Sequence, residues 1–317
     1  MRSLTIATRG SKLALWQANH VKDRLQQRYP GLEVHLEVIK TQGDKILDVP
    51  LAKIGGKALF VKEIEEAMLA GQADLAVHSM KDVPADLPEG LTLGVIPERG
   101  EYTDCLLSQD YNGLEQVPHG ATIGTSSLRR KTQLLRLRPD LDIQDLRGNL
   151  DTRIRKLEEG LFAAIVVASA GLQRLQAGAR YMCALAPPEF LPAVGQGALG
   201  IEYPNHRSDV EEMLGFLDHP PTRYCVLTER AFLHRLEGGC QVPIGGHAVM
   251  TGPNALRLEC FVADLCGREH LRRTGEAKPK DGIALGQRLA DDILASGGAE
   301  ILQAIYGPES DSEMPPS

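Results

Sequence analysis

The stretch Leu161–Gly171, "LFAAIVVASAG", decides the fold class. Its apolar run, 162–169, has the length and composition of a strand buried on both faces, and helical spacing follows it. A second segment, Gln72–Asp82, "QADLAVHSMKD", has the same form and looks equivalent. Buried strands that alternate with helices are typical of a mostly parallel α/β sheet.

The same alternation extends outward from both segments and defines two α/β halves. Around the earlier segment, the pattern predicts strands at 4–8, 33–41, 73–79 and 91–97, and helices at 11–29 and 58–71. Around the later one, it predicts strands at 121–127, 141–146 and 162–169, and helices at 127–137, 149–160 and 170–176. Ser11 and Asn149 are the expected N-caps of two of these helices. The glycine-rich segment Pro192–Tyr203 suits a crossing back to the first half.

The last third has a different pattern. A helix at 222–239 precedes three alternating strands at 246–252, 255–264 and 269–277, and a second helix follows at 281–298. This order predicts a separate α+β domain with a small antiparallel sheet. The tail 308–317 lacks apolar residues, and we expect it to be disordered.

The composition restricts the function classes. The chain has 317 residues, 43% of them hydrophobic and 24% charged, with a formal net charge of -7. An acidic balance does not favour a general nucleic-acid surface. No apolar run approaches the ~20 residues that span a bilayer. The start, "MRSLTIATRG", resembles a strand rather than a signal peptide, so we expect a cytoplasmic enzyme.

One of the six cysteines stands apart. None forms a CxxC pair, and we expect five of them to behave as small, buried apolar residues. Cys240 instead lies in "RLEGGCQVPIGGH", Arg235–His247, between two glycines and a proline. It is a catalytic thiolate, a covalent anchor or an idle surface thiol. A catalytic thiolate needs a histidine base, for which the candidates are His78, His234 and His247.

Three groups of basic and hydroxyl residues follow predicted strands. They are Arg9 with Ser11; Thr125, Ser126, Ser127, Arg129 and Arg130; and Arg147, Arg153 and Arg155. Ligands of parallel sheets bind at the carboxyl ends of strands. Arginine in the first turn of a helix opposes the helix dipole, which favours a bound anion. Each group alone is typical of a solvated basic face, but three at strand ends favour a polyanion site.

Two further segments carry candidate residues. "KIGGKALF", Lys53–Phe60, is either a mobile basic loop or a plain helix entrance. "VHSMKDVP", Val77–Pro84, leaves a predicted strand and places Asp82 at the mouth between the two halves. A carboxylate there either stabilises cationic charge and moves protons, or only satisfies backbone N–H groups in a turn.

Seven motifs occur in an order that closely resembles the porphobilinogen deaminase family. They are "ATRGSKLALWQA", "GGKALFVKEIE", "DLAVHSMKDVP", "IGTSSLRR", "LRGN", "LPAVGQGALGIE" and "LEGGCQVPIGG". The resemblance runs from about Leu4 to Tyr306, and the combination of "VHSMKD" with "EGGCQVPIG" is highly specific. The chain departs from the usual pattern at Gly10, Lys12 and Gln42.

The resemblance implies an activity and a cofactor. Members of the family are hydroxymethylbilane synthases, transferases that join four porphobilinogens head to tail with release of ammonia, in tetrapyrrole and heme biosynthesis. A dipyrromethane cofactor, held through a thioether at the position of Cys240, primes the chain. Asp82 corresponds to the catalytic aspartate, which we expect to be buried against a delocalised cation. The family is usually monomeric.

The resemblance also implies the binding residues and domains. By resemblance, the carboxylates of the substrate are bound by Arg9, Ser11, Arg153 and Arg174. Those of the cofactor are bound by Lys81, Thr125, Ser127, Arg129, Arg130 and Arg147. Lys53, Lys57 and Phe60 match a mobile active-site loop, and Gln196 lies on the crossing segment. Two periplasmic-binding-protein-like α/β domains, 1–97 with 198–216 and 98–197, flank a cleft. A smaller α+β C-terminal domain, 217–307, has an antiparallel sheet and carries the cysteine loop.

Two other functions remain open from the residues alone. A non-catalytic solute-binding module would use the same two-domain cleft but would give Cys240 no role. A cysteine-dependent hydrolase would need a histidine base beside Cys240.

Overall fold

The computed structural model describes residues 3–45, 61–237 and 242–306. Its first part contains β1 (Ser3–Arg9), α1 (Lys12–Arg28), β2 (Glu33–Ile39), α2 (Gln42–Lys45), α3 (Lys62–Leu69), β3 (Leu75–Ser79) and β4 (Leu91–Val95). The next part contains β5 (Asp104–Ser108), β6 (Thr122–Gly124), α4 (Leu128–Leu137), β7 (Asp142–Gln144), α5 (Leu150–Glu158), β8 (Ala164–Ala168), α6 (Ser169–Leu175) and β9 (Tyr181–Leu185). The last part contains β10 (Leu199–Pro204), α7 (Ser208–Leu214), α8 (Pro220–Arg235), β11 (Ile244–Gly252), β12 (Ala255–Ala263), β13 (His270–Ala277), α9 (Gly282–Ile293) and α10 (Ala299–Tyr306).

Two five-stranded sheets share one plan. Their strand orders are β2-β1-β3-β10-β4 and β7-β6-β8-β5-β9. In the first sheet β1 pairs in parallel with β2 and β3, whereas β10 is antiparallel to both of its neighbours. In the second, β6 pairs in parallel with β7 and β8, and β5 is the antiparallel strand. Strands β3 and β8 therefore occupy equivalent positions, as the sequence predicted.

The chain crosses between the two sheets twice. Residues 96–103 lead from β4 to β5, and residues 186–198 lead from β9 back to β10. The predicted return of the glycine-rich segment to the first half is confirmed, since β10 lies between β3 and β4. The boundaries at 97/98, 197/198 and 216/217 stay predictions.

Local capping explains where two helices begin. The Ser11 hydroxyl accepts from the backbone N–H of Ala14 at 3.3 Å, and the Ser127 hydroxyl accepts from that of Arg130 at 3.5 Å. These bonds satisfy donors that a helix start otherwise leaves unpaired. Asn149 stands at the N-cap of α5 as predicted, although its side chain makes no capping bond.

The third unit is the predicted antiparallel sheet, with the order β11-β12-β13. Helices α8 and α9 cover it through a core that includes the fully buried Phe232, Leu258 and Ile293. Helix α8 begins at Pro220, earlier than predicted, because proline fits the first turn of a helix. The predicted helix 281–298 keeps its regular part at Gly282–Ile293. The other predicted helix, 222–239, ends at Arg235, before the predicted stop at Gly238 or Gly239. The tail 308–317 lies outside the described residues.

The cysteines match expectation in part. Cys105, Cys225 and Cys260 are buried, and burial raises their pKa values to about 11, 11 and 12. Cys183 is half-buried and Cys266 is exposed, so the expectation of burial was wrong for Cys266, which lies in the turn between β12 and β13. Among the helices within the described ranges, none combines the length and apolar character needed to cross a membrane.

Candidate active site

The three basic groups do lie at carboxyl ends of parallel strands. Arg9 is the last residue of β1, the group that ends at Arg130 follows β6, and Arg147 follows β7. Arg153 lies on α5 and Arg174 on α6. The sheets thus present cations from both halves of the molecule.

Asp82 ends a 3-10 turn, Met80–Asp82, directly after β3. The Met80 backbone N–H donates to the Ala198 carbonyl at 3.0 Å, which ties the turn to the crossing segment. Gly195 has a φ of +72°, and a Cβ there would stand 2.8 Å from Met80 Cβ, so only glycine permits this approach. Asp82 itself is exposed. The turn carries Asp82 out of the sheet, and its expected burial against a delocalised cation stays a prediction.

Cations from both sheets act on Asp82. Burial lowers the pKa of Lys81 to about 8, an effect that Asp82 opposes and Arg130 reinforces. Burial likewise lowers the pKa of Arg153 to about 10, with Arg130 reinforcing and Asp82 opposing the change. Arg153 also donates from Nε to the Gly148 carbonyl at 2.8 Å. The predicted position of Asp82 between the halves is therefore supported by its coupling to Arg153 across them.

Arg129 and Arg130 are buried around a carboxylate of their own chain. Arg129 Nη1 lies 2.6 Å from Asp104 Oδ2, and Arg130 Nη2 lies 2.7 Å from Asp104 Oδ1. Burial alone would raise the pKa of Asp104, but the two guanidinium groups hold it well below its usual range. The Asp104 carboxylate therefore provides an anion that compensates these first-turn arginines within the protein itself.

Gln196 joins this network from the second crossing. Its Nε2 donates to Asp104 Oδ1 at 3.0 Å and to the Tyr102 carbonyl at 2.8 Å. Its Oε1 is buried and finds no hydrogen-bond donor among the described residues. A buried acceptor of this kind fits a ligand N–H.

Arg174 and Thr125 are held more locally. Arg174 Nη2 donates to the Gly197 carbonyl at 2.8 Å, its guanidinium lies over the Trp16 ring at 5.7 Å, and burial lowers its pKa to about 10. The buried Thr125 hydroxyl accepts from the Ser127 backbone N–H at 3.2 Å. Both contacts orient groups that the sequence assigned to carboxylate binding.

Four predicted site residues lie outside the described residues. They are Lys53, Lys57, Phe60 and Cys240. Their roles stay predictions.

Two of the departures from the family pattern have contacts. Lys12 Nζ forms an ion pair with Asp151 at 3.3 Å, which links the start of α1 to α5 of the other sheet. The Gln42 backbone N–H donates to Glu63 Oε1 at 2.8 Å. Neither contact touches Asp82.

The candidate histidine bases are already engaged. His78 Nε2 lies 2.9 Å from Glu202 Oε2, and His234 Nε2 lies 2.9 Å from Asp86 Oδ1. His247 is buried, and burial lowers its pKa to about 4. A carboxylate also orients the base histidine of a catalytic triad, so the contacts of His78 and His234 do not decide the question, whereas the lowered pKa of the buried His247 disfavours it as a base.

Sequence reasoning missed Asp104 and the pair of Arg99 with Glu229. Arg99 Nη1 lies 2.6 Å from Glu229 Oε1, and the Glu229 carboxylate also accepts from the backbone N–H groups of Gly195 and Ala248. This pair joins both crossings to α8 and β11. The one available signal for Asp104 was a carboxylate placed directly before the apolar run of β5.

These features define a class of protein. Two similar α/β sheets, linked by paired crossings, bring an exposed carboxylate and half-buried cations together where strands end. Such a cleft suits a small polyanionic ligand and chemistry that generates positive charge.

The chain belongs to the porphobilinogen deaminase family. Residues 4–212 match "Porphobilinogen deaminase, dipyromethane cofactor binding domain", and residues 223–295 match "Porphobilinogen deaminase, C-terminal domain". A porphobilinogen deaminase of Nitratidesulfovibrio vulgaris (strain Hildenborough) is 62% identical over 96% of this chain and 98% of that protein. One from Maridesulfovibrio salexigens is 56% identical over 96% of this chain and 99% of that protein.

The solved structures that resemble this chain are distant. The periplasmic aliphatic sulphonate binding protein SsuA from Escherichia coli is 14% identical, with a TM-score of 0.40. The match covers 100% of this chain and 96% of the SsuA chain. This likeness is too loose to support an argument about this chain.

Proposed function

We propose that this chain is a hydroxymethylbilane synthase, a transferase that condenses four porphobilinogens onto a cysteine-linked dipyrromethane primer with release of ammonia at each addition, after which water hydrolyses the chain off as linear hydroxymethylbilane. Family membership over both matched regions supports this reaction. The observation that carries it is the exposed Asp82, coupled to Lys81 in its own turn and to Arg153 from the other sheet. This arrangement provides one carboxylate for developing positive charge, surrounded by cations for the carboxylates of the substrate.

The described residues fit a dipyrromethane. Its acetate and propionate groups need cations, which Lys81, Arg129 and Arg130 supply, and its pyrrole N–H groups need acceptors, for which the unpartnered Gln196 Oε1 is suited. When bound, the cofactor supplies the pyrrole carbon to which the first substrate unit is joined. Cys240 is the proposed thioether anchor.

Asp82 has three proposed tasks. Its carboxylate accepts hydrogen bonds from pyrrole N–H groups and so orients the porphobilinogen that is about to react. Departure of ammonia leaves a delocalised cation on that porphobilinogen, and a carboxylate placed beforehand lowers the energy of this charge. It also receives the proton released when the ring becomes aromatic again.

The cations explain how an acidic protein binds a polyanion. The chain has a net charge of -7, yet its basic side chains converge at the strand ends. We assign substrate carboxylates to Arg9, Ser11, Arg153 and Arg174, and cofactor carboxylates to Lys81, Thr125, Ser127, Arg129, Arg130 and Arg147. Lys53, Lys57 and Phe60 belong to a loop proposed to close over the substrate.

The proposal extends to the state of the protein in the cell. We assign it to the cytoplasm, as a monomer of three domains that does not bind nucleic acid. The acidic composition supports the last point. Sedimentation or light scattering at working concentration checks the monomer, for which a mass near 34.5 kDa is expected.

The two other functions are not favoured. Neither a solute-binding module nor a cysteine hydrolase accounts for the match to both regions of an enzyme family. Of the histidines that a hydrolase would need, His247 is deeply buried and has a pKa lowered to about 4, which disfavours it as a base.

Product stoichiometry tests the proposal. Purified protein incubated with porphobilinogen should release four ammonia molecules for each hydroxymethylbilane, detected as uroporphyrin I after acid cyclisation and oxidation. Porphobilinogen bound without ammonia release would favour the solute-binding module and contradict the proposed reaction.

A further inference from the structure

Helix α8 presents one face to the turn that carries Asp82. Val226, Arg230 and His234 are spaced four residues apart, so they lie along one side of the helix. The fully buried Val226 packs in one cluster with Met80 and Val83, which flank Asp82 in sequence. The C-terminal end of this helix, at Arg235, is followed by the segment that contains Cys240. The same helix thus packs on the turn of Asp82 and precedes the proposed anchor in sequence.

The central residue of this face holds the chain just after Asp82. Arg230 Nη1 donates to the Val83 carbonyl at 3.1 Å. Arg230 Nη2 donates to the carbonyls of Pro84 at 2.7 Å and Ala85 at 3.1 Å. Three successive carbonyls are thus gathered by one planar guanidinium, a geometry that an ammonium group cannot reproduce in full.

The gathered segment is also held by the buried Val83 and by the contact of Asp86 with His234 Nε2 at 2.9 Å, but Arg230 alone binds three of its carbonyls. Residues 83–90 lie between the 3-10 turn and β4, outside any helix or strand. Pro84 has no backbone N–H, which removes one means of holding such a segment. On the other side of the turn, the Met80 N–H bonds to the Ala198 carbonyl. Asp82 is consequently fixed from both directions, by the crossing segment before it and by α8 after it.

The bonds of Arg230 are charge-assisted and partly shielded. Arg230 is half-buried, and burial lowers its pKa, while Asp86 and Glu202 oppose that change. Arginine nevertheless keeps its charge at any working pH. The carbonyls it binds carry no charge, so its contacts serve geometry rather than charge neutralisation.

We propose that Arg230 is a positioning residue for Asp82: by holding the backbone of 83–85 against α8, it sets where the Asp82 carboxylate stands at the end of its turn. The inference rests on the proposed role of Asp82. Arg230 acts through the backbone and does not itself touch substrate. Its loss should therefore affect the chemical step more than substrate binding, because the carboxylate-binding arginines are left in place.

The test compares Arg230→Gln and Arg230→Lys with Arg235→Gln in the holoenzyme. Arg235 lies on the same helix but pairs with Asp291 on α9 at 2.7 Å, so it is the matched control. For Arg230→Gln we expect kcat to fall about tenfold or more, since small misplacements of a reacting group are costly. KM should stay within about threefold of wild type. Arg230→Lys should recover part of the loss, and Arg235→Gln should match wild type.

Two further measurements separate positioning from folding. Intact mass should show the cofactor retained in Arg230→Gln, and hydrogen exchange should be faster in a peptide covering 82–87 than in wild type. If Arg230→Gln fails to fold, Arg230→Lys carries the test alone, with an intermediate kcat expected. A kcat within twofold of wild type in the folded variants, or a loss that follows only the lost cofactor, would overturn the proposal.

Asp82→Asn, assayed alongside, separates this inference from the function on which it rests. An inactive Asp82→Asn with a fully active Arg230→Gln overturns only the role of Arg230. Full activity of Asp82→Asn overturns the proposed role of Asp82, and the inference with it.

Discussion

Asp82 and Asp104 are two aspartates beside the same group of cations, and their surroundings differ in every respect that matters. Asp104 is fully buried at the start of β5 and is bonded to Arg129, Arg130 and Gln196. Asp82 is exposed at the end of a 3-10 turn. Burial without partners would be costly for a charged carboxylate, so Asp104 keeps its charge because two guanidinium groups share it.

The difference assigns different work to the two carboxylates. The Asp104 carboxylate binds Arg129 and Arg130 and so holds both guanidinium groups in fixed positions near Lys81. Asp82 is reached by solvent and influences the pKa values of Lys81 and Arg153. An accessible carboxylate can meet a new positive charge, whereas one already enclosed by two arginines cannot.

The largest expected effect is on stability, from Asp104→Asn. Removing one partner of a buried ion pair leaves uncompensated buried charge, which typically costs about 3–5 kcal/mol. We expect the urea midpoint of unfolding to fall sharply. Asp140→Asn is the matched control, because Asp140 pairs with Arg138 near the surface, and it should lose far less. Equal midpoints for Asp104→Asn and wild type would contradict the structural role.

The same variant has a pH signature. The pKa of Asp104 is held well below its usual 3.8 in the folded state. The unfolded carboxyl takes up its proton near pH 4, so the contribution of Asp104 is fully present above that pH and is lost as the pH falls further. The gap in unfolding free energy between wild type and Asp104→Asn should therefore narrow between about pH 5 and pH 3. A constant gap would show that the charge of Asp104 is not responsible.

The next effect is on turnover, from Asp82→Asn. Loss of a preorganised charge at the reacting group typically lowers kcat by about 10²–10³-fold. The unfolding free energy should stay close to that of wild type, because Asp82 is exposed. Steady-state kinetics and a urea curve on the same preparation check both parts. Wild-type turnover would remove Asp82 from the mechanism.

The smallest of the three effects concerns Arg147, a half-buried residue after β7. Arg147→Ala should reduce kcat/KM about tenfold or more, since a hydrogen bond to a charged group contributes about 1.5–3 kcal/mol. Arg155→Ala is the control, because Arg155 is exposed on α5 and pairs with Glu159. Unchanged kinetics for Arg147→Ala would indicate that Arg147 binds no carboxylate and is only part of a solvated basic face.

Local patterns predicted much of the fold. The N-cap positions of Ser11 and Asn149 follow from residue type and helix start, and the equivalence of β3 with β8 follows from two apolar runs with the same flanks. These features depend on neighbours in sequence. The family resemblance then indicated Asp82 and Cys240, which spacing alone had left among several alternatives.

Long-range partners could not be predicted in the same way. Asp104 and Arg129 are 25 residues apart, and Arg230 is 147 residues from Val83. These contacts form only when the sheets and α8 pack together, and the local pattern of apolar residues does not predict that packing.

The covalent cofactor is the central claim, and intact mass tests it most directly. Protein from cells that make porphobilinogen, denatured and weighed, should exceed its sequence mass by two linked pyrrole units, with peptide mapping placing them on Cys240. The Cys240→Ala variant should have only its sequence mass and no stable adduct. An unmodified wild-type protein, or an unchanged adduct in Cys240→Ala, would contradict the account.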